Sequence, residues 1–331
     1  IDSNRTFTLI AHSHLAAPHT MTEPTPAILR PKPQVRWLES ESLHVAHWRS
    51  ESGAAPPKRI VIADDTLRSD TAWRMACEGT AILWRGDFQN ARQLLQAIAR
   101  RCDRNPRKRG STPTEEFNLH RQAQAHRARI LGMLLVCIEA GHMISLKRAP
   151  SVVEACSEAH GAAAEPYVCS LRELQAIIGA HEWRKKGVYI PALGAKIYPH
   201  YGVFSPVRGE YLDLVAAADL PARAKRAFDV GTGTGVVAAI LARRGVQEVI
   251  ASDLDDRALH CAQDNIRRLG LDASVQIVRA DLFPEGKADL IVCNPPWLPA
   301  RPTSPIEHAI YDPGSRMLNG YLKGLAERLN P

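Results

Sequence analysis

Two short motifs carry residue types and spacings that could do chemistry. Residues 229–235 read Asp-Val-Gly-Thr-Gly-Thr-Gly and residues 294–297 read Asn-Pro-Pro-Trp. In the first, Gly231, Gly233 and Gly235 follow an apolar strand and open a helix. Lacking side chains, they allow a tight turn and close approach of backbone to a ligand. The helix N-terminus adds partial positive charge, which suits a ligand carboxylate. Asp253, 22 residues after Gly231, ends the next strand, where a carboxylate can accept from both hydroxyls of a ribose. Asp281, after a third strand, is placed to accept from an adenine amino group. With Asp229, Thr232, Leu254 and Leu282, these are the candidate cofactor-binding residues.

The second motif follows the strand 289–293. Its prolines fix the backbone so that the Asn294 amide and the Pro295 carbonyl can both face a pocket and accept from an amino group. Held by its protons, that nitrogen points its lone pair at an electrophile, and such positioning removes several kcal/mol from a barrier. Beyond Pro296, Trp297 offers a flat face for stacking a planar amide or base. Read for structure alone, the first motif is a glycine turn and the second a proline turn with a packed Trp, and the pairing is what points to chemistry. A nicotinamide-binding turn would want a third glycine five residues after the first, where Val236 stands, and would leave residues 294–297 unexplained. No strong general base is legible.

The positioning elements alternate. Strands are predicted at 226–230, 248–252, 274–278 and 289–293, and helices at 236–244, 256–269 and 318–329. This is the pattern of a doubly wound parallel α/β sheet, whose ligands bind beyond the carboxyl ends of the strands. A helix at 209–219 and a short hairpin over 188–198 precede it. The N-terminal part is predicted as a separate mixed α+β domain. Its strands are 59–63 and 80–84 and its helices 88–102, 115–140 and 170–179, with residues 130–138 read as a buried helical run. The resulting division is a tail at 1–20, a basic recognition domain at 21–187 and the α/β domain from 188 on. Met21 is read as the natural start.

Bulk properties exclude several classes. The 331 residues, 45% hydrophobic and 23% charged, suit a globular protein of about two domains. No apolar run approaches the roughly 18–20 residues of a membrane span, and no signal peptide is visible in residues 1–20. Seven cysteines without paired spacing fit reduced thiols in the cytoplasm rather than disulfides or zinc. No metal is expected, with His12 and His14 the nearest approach to a ligand pair. Residues 21–200 hold 26 Lys and Arg against 18 Asp and Glu. Arg100, Arg101, Arg104, Arg107, Lys108 and Arg109 are the densest cluster, followed by Arg121, Arg127 and Arg129. It is either a nucleic-acid contact or a solvated surface.

Residues 188–331 resemble a class I S-adenosylmethionine (SAM)-dependent methyltransferase of the "small methyltransferase" group. That group holds HemK-type release-factor glutamine methyltransferases and ribosomal-RNA guanine-N2 methyltransferases. Residues 291–297 also resemble the general signature of N6-adenine methylases. The resemblance implies that Asp229, Gly231, Gly233, Asp253 and Asp281 bind SAM and that Asn294 to Trp297 hold the target nitrogen. The hairpin and the segment 202–206 are similar to the HemK-type lead-in. In place of its Pro-Arg-Pro-Glu-Thr-Glu signature stands Ser-Pro-Val-Arg-Gly-Glu-Tyr, and Trp297 stands where Tyr is usual. Both departures count against the glutamine assignment. The group's sheet has seven strands and four are predicted here, so the sequence is read as truncated at its C-terminus. Three readings follow: methylation of an exocyclic amine on a nucleic-acid base, favouring RNA; methylation of a glutamine amide in a translation-related protein; or a non-catalytic SAM- or nucleic-acid-binding protein. The oligomeric state is left open.

Overall fold

Strands β1 (Gln34–Glu39) and β2 (Ser42–Trp48) open the structure as an antiparallel hairpin. Their link, Ser40 and Glu41, has φ of 50° and 65°, the doubly positive turn that matches strand twist. Neither residue is the Gly or Asn that signals such a turn, so the sequence pattern does not announce this hairpin. The computed structural model describes residues 33–331 apart from 105–109, 207–208, 222–223 and 301–304. His12, His14, Met21, Arg107, Lys108 and Arg109 lie outside the described residues.

Next come β3 (Arg59–Ala63), α1 (Ser69–Cys77), β4 (Thr80–Trp84), α2 (Phe88–Arg104) and α3 (Pro113–Leu131). Thr112 caps α3, its hydroxyl accepting from the Glu115 amide, with Pro113 in the first turn. Here the sequence reading needs correction. The helix predicted to reach residue 140 stops at Leu131 with Gly132 as its cap, and the chain re-enters as β5 (Leu134–Ile138). That run, Leu-Leu-Val-Cys-Ile, is apolar at every position because it is a central strand covered on both faces. A continuous apolar run cannot be told from a buried helix by periodicity. Helix α4 (Val153–His160), β6 (Tyr167–Ser170) and α5 (Leu171–Lys186) complete this part.

The six strands form one mixed sheet in the order β1-β2-β6-β5-β4-β3. One face buries Ile82, Trp84, Leu134, Val136 and Ile138 against the helices, where Phe88, Leu95, Ile98 and Leu174 pack. The other buries Ala81, Leu83, Leu135 and Val168 under Val35, Trp37, Ala46 and Trp48. The sheet curls far enough for β1 to touch β3 at its opposite edge. Arg85 pins that closure, its guanidinium meeting Glu39 at 2.9 and 2.7 Å. Residues 59–84 thus belong to this sheet and supply no strand to the second.

The second sheet is reached through the antiparallel hairpin of β7 (Val188–Ile190) and β8 (Ala195–Ile197) and helix α6 (Glu210–Ala217). It then runs β9 (Arg226–Val230), α7 (Val236–Arg243), β10 (Glu248–Asp253), α8 (Asp256–Arg268), β11 (Val275–Arg279), β12 (Leu290–Cys293) and α9 (Arg316–Arg328). Each strand lies within a residue or so of its predicted place. All four pair in parallel, in the order β11-β10-β9-β12. The order reverses between β9 and β12, and open α/β sheets bind ligands at such a switch point. Just before β12, Ala288 exchanges backbone hydrogen bonds with Arg328 and Asn330, both 2.9 Å, so the chain's last residues run beside that strand. The α7 side of the sheet buries Val236, Val237, Ile240 and Leu241.

Glu51 joins the two parts. It accepts from Arg257 on α8 at 2.8 Å and lies 3.3 Å from His160 on α4. Burial, with Arg49 nearby, lowers the His160 pKa to about 4, so this histidine is neutral at ordinary pH. Arg184 on α5 meets Asp264 on α8 at 3.0 Å.

Candidate cofactor and acceptor site

At the carboxyl ends of β9, β10 and β12 the chain opens a cleft of about 1230 Å³, counting its mouth. Among its lining residues are Asp229, Gly231, Thr232, Gly233, Asp253, Leu254, Asp281, Leu282, Asn294, Pro296 and Trp297. Topology brings the two motifs together: β9 and β12, which deliver them, are adjacent. Two predicted residues, Gly235 and Pro295, lie outside the lining.

The glycine turn is held from below. The amides of Gly231 and Thr232 both donate to the Ser252 carbonyl at 2.9 Å. Gly231, Gly233 and Gly235 have φ of 75°, 55° and 79°, a region costly for any residue with a Cβ. Their roles differ. A Cβ on Gly233 would meet nothing within 4 Å and would project into cleft space a ligand could use. A Cβ on Gly235 would stand 3.1 Å from the Ala262 Cα, so Gly235 serves the packing of α7 on α8.

Three carboxylates are treated differently. Asp229 is buried, and its Oδ2 accepts from the Thr232 hydroxyl at 2.6 Å and the Ala238 amide at 3.1 Å. Burial nevertheless raises its pKa to about 6. Asp253 is oriented by three backbone amides: Gly233 at 3.0 Å on one oxygen, Leu254 at 2.8 Å and Asp255 at 3.0 Å on the other. Burial outweighs these bonds and keeps its pKa above the ordinary carboxylate value. A carboxylate has about four acceptor positions, so Asp253 keeps capacity for a ligand hydroxyl. Asp281 is exposed, and one of its oxygens is 2.5 Å from the Arg316 guanidinium. An adenine amino group would share or displace that ion pair.

The acceptor side is more open. Asn294 is exposed at the end of β12, and Trp297 is 59% exposed. The Trp297 and Leu298 amides donate to the Ile310 carbonyl at 3.1 and 3.0 Å, which ties this turn to the segment before α9. Buried Asp312 accepts from the Met317 and Leu318 amides, both 3.1 Å, capping α9. Arg121 of α3 lies 4.3 Å from the Tyr311 ring centroid, bringing the N-terminal part to this wall. Val203, Phe204, Tyr211, Arg316 and Met317 also line the cleft; the first three fall in the lead-in stretch 202–211 noted from the sequence, though not as site residues, whereas no motif marks Arg316 and Met317, which arrive from α9. Burial pushes the Cys293 thiol up to about 12, which keeps it protonated at ordinary pH.

The basic cluster is partly neutralised. Arg101 pairs with Asp70, and Arg127 meets Asp103 at 2.9 Å. Among the described residues no His, Cys, Asp and Glu group could hold a metal, and no helix is long and apolar enough to cross a membrane.

Comparison with known proteins agrees with this geometry. Residues 194–320 match the family model described as "methyltransferase small domain". A ribosomal protein L11 methyltransferase of Symbiobacterium thermophilum is 42% identical over 69 residues, 21% of this chain and 23% of that protein. A tRNA1(Val) (adenine(37)-N6)-methyltransferase of Glaesserella parasuis is 37% identical over 81 residues, 23% and 34% of the two chains. A putative protein N5-glutamine methyltransferase of Methanocaldococcus jannaschii is 30% identical over 108 residues, 32% and 53%. This part of the chain is a class I SAM-dependent methyltransferase domain of the small-methyltransferase group. The chain spans 23–53% of these relatives' own lengths.

Proposed function

We propose that the protein is a cytoplasmic SAM-dependent N-methyltransferase that modifies an exocyclic amine of a nucleic-acid base, with RNA the favoured substrate. The observation that carries the reading is that Asn294 and the glycine turn leave adjacent strands into one cleft, which an exposed Trp297 also lines. The residues present fit SAM: Gly233 leaves open space, and Asp253 stands oriented with acceptor capacity for a ribose. When bound, SAM supplies a methyl group already activated by its sulfonium.

The protein's own task is then approach and orientation. Asn294 accepts from the acceptor amine and aims its lone pair, and the amine proton released on N–C bond formation passes to solvent. Phe204, Tyr211 and Trp297 give the acceptor wall three aromatic rings, suited to a base turned out of its stack. The basic excess of residues 21–200 favours a polyanionic partner over a protein one. The HemK-like hairpin β7–β8 favours the second reading, a glutamine amide in a translation-related protein.

Tritiated SAM added to a cell lysate, with RNA and protein then separated, tests the choice. Label in RNA that Asn294→Ala loses supports the proposal. Label confined to a protein band replaces it with the glutamine reading. Failure to bind SAM at all would make this a non-catalytic domain.

A further inference from the structure

We propose that the β7–β8 hairpin, with the ends of α5, α7 and α8, forms a second RNA-docking surface, which holds an unpaired strand at the edge of the sheet opposite the cleft. The inference goes beyond the acceptor site and rests on the RNA reading above. An open hollow of about 860 Å³ lies there, lined by Lys196, Tyr198, Arg243 and Arg268 and by no acidic side chain. Arg243 and Arg268 are the last residues of α7 and α8, and Lys186 is the last of α5. Helices that join parallel strands run back against them, so α7 and α8 end away from the cleft. Helix α8 starts at the cleft, where Asp255 caps it, and its 13 residues carry the chain about 20 Å to Arg268.

Direct contacts tie these parts together. Gly187 follows α5 with φ of 68°, and a Cβ there would stand 2.9 Å from the Tyr198 ring. The ring therefore packs on bare backbone, and the Arg268 guanidinium lies over it, 4.6 Å from its centroid. Lys196 reaches back to α5, its Nζ donating to the Lys186 carbonyl at 2.9 Å. Arg243 donates to the Leu193 carbonyl. Among the described residues none of Lys186, Lys196, Arg243 and Arg268 pairs with a carboxylate. Two aromatic side chains stand out beside them. Tyr189 is 60% exposed and faces Lys196 directly across the hairpin, and Trp183 is 55% exposed, one helical turn before Lys186. A cation at a helix C-terminus complements the helix dipole. That does not account for Lys196 on a strand, for three helix ends meeting at one hairpin, or for two rings left in solvent. Cations interleaved with exposed rings suit an unpaired nucleic-acid strand, the charges meeting phosphates and the rings stacking on bases. An acidic peptide would use the charges and leave the rings idle.

The probe is a fluorescein-labelled oligouridine of about 20 nucleotides. Its binding to the full chain is followed by anisotropy from about 50 to about 200 mM salt. One variant combines Lys186→Gln, Lys196→Gln and Arg268→Gln. A control combines Arg36→Gln, Lys58→Gln and Arg74→Gln, which removes the same charge from exposed positions elsewhere. The first should bind about tenfold or more weaker at about 100 mM salt, and its slope of log K against log salt should shrink by about 2, the loss of three single-strand phosphate contacts. The control should stay within about twofold of wild type. Trp183→Ala with Tyr189→Ala should weaken binding about fivefold or more at an unchanged slope, because stacking releases no counterions. SAM affinity within about twofold of wild type, measured by calorimetry, shows that each variant is folded. Equal weakening in the first variant and the control, an unchanged slope in the first variant, or full displacement of the probe by polyglutamate at equal charge overturns the inference. Wild-type chain that labels only protein in the lysate assay overturns the RNA reading itself, a failure visible without any of these variants.

Discussion

The two halves of the cleft are built by different means. On the glycine side the bonds that orient the turn, Asp229 and Asp253 are local to β9, β10 and the helices after them: Ser252 under the turn, Thr232 and Ala238 on Asp229, three amides on Asp253. On the acceptor side Asn294 and Trp297 stand exposed, and their neighbours come from elsewhere: Tyr211 from α6, Phe204 from the lead-in, Tyr311 beneath Arg121 of α3. A ligand common to a whole group can be met by a prebuilt local cradle. A particular substrate needs a wall that other parts of the chain can vary.

The sharpest way to break this comparison is Asn294→Ala. Transfer should fall by roughly 100-fold or more while SAM affinity stays within a few-fold, because the residue positions only the acceptor. If SAM affinity collapses in parallel, the halves are not independent. Asp253→Ala should do the converse. Losing a charged acceptor for ribose hydroxyls should raise the SAM dissociation constant by roughly 10- to 100-fold, with transfer recovering at saturating SAM; calorimetry showing an unchanged constant would remove Asp253 from the site.

Within the glycine turn the comparison sharpens further. Gly235→Ala combines a φ of 79° with a 3.1 Å approach to Ala262 and should cost about 2 to 3 kcal/mol in chemical denaturation. Gly233→Ala, with open space around its Cβ, should cost roughly 1 kcal/mol of stability but weaken SAM binding. Equal stability losses would contradict the division of labour between them.

The smallest effect concerns Asp229. Its folded pKa of about 6 lies above the ordinary value, so the folded state holds this proton more tightly than the unfolded chain does. Its contribution to stability is complete below about pH 4 and is lost as pH rises through about 6. Asp229→Asn, which cannot ionise, should therefore gain on wild type by about 1 to 2 kcal/mol between pH 5 and pH 8. Parallel melting curves across that range would show that Asp229 ionises without penalty.

What could be read from the chain follows the same division. Strands β9 and β12 and helices α7 and α8 lie within a residue or so of their predicted bounds because apolar period, glycine stops and polar caps are local signals. The β1–β2 hairpin was illegible because Ser40 and Glu41 take positive φ without the usual turn residues. Strand β5 was mistaken for helix because a strand buried on both faces loses its alternation. Helix α1, helix α4 and strand β6 were also not anticipated.

By itself the sequence determined the cradle. Glycines at three alternate positions, a carboxylate at the end of the next strand and a rigid Asn-Pro-Pro turn are properties of a few consecutive residues, and the strand periods place them at one edge of a parallel sheet. Only the tertiary structure decided that β9 and β12 are neighbours, that Arg316 stands on Asp281, that Gly235 packs helices rather than facing the cleft, and that Tyr211, 83 positions before Asn294, lines the same cleft. The physical reason is range. Backbone conformation is set by neighbours along the chain, whereas the partner of a side chain is set by which surfaces the core brings together.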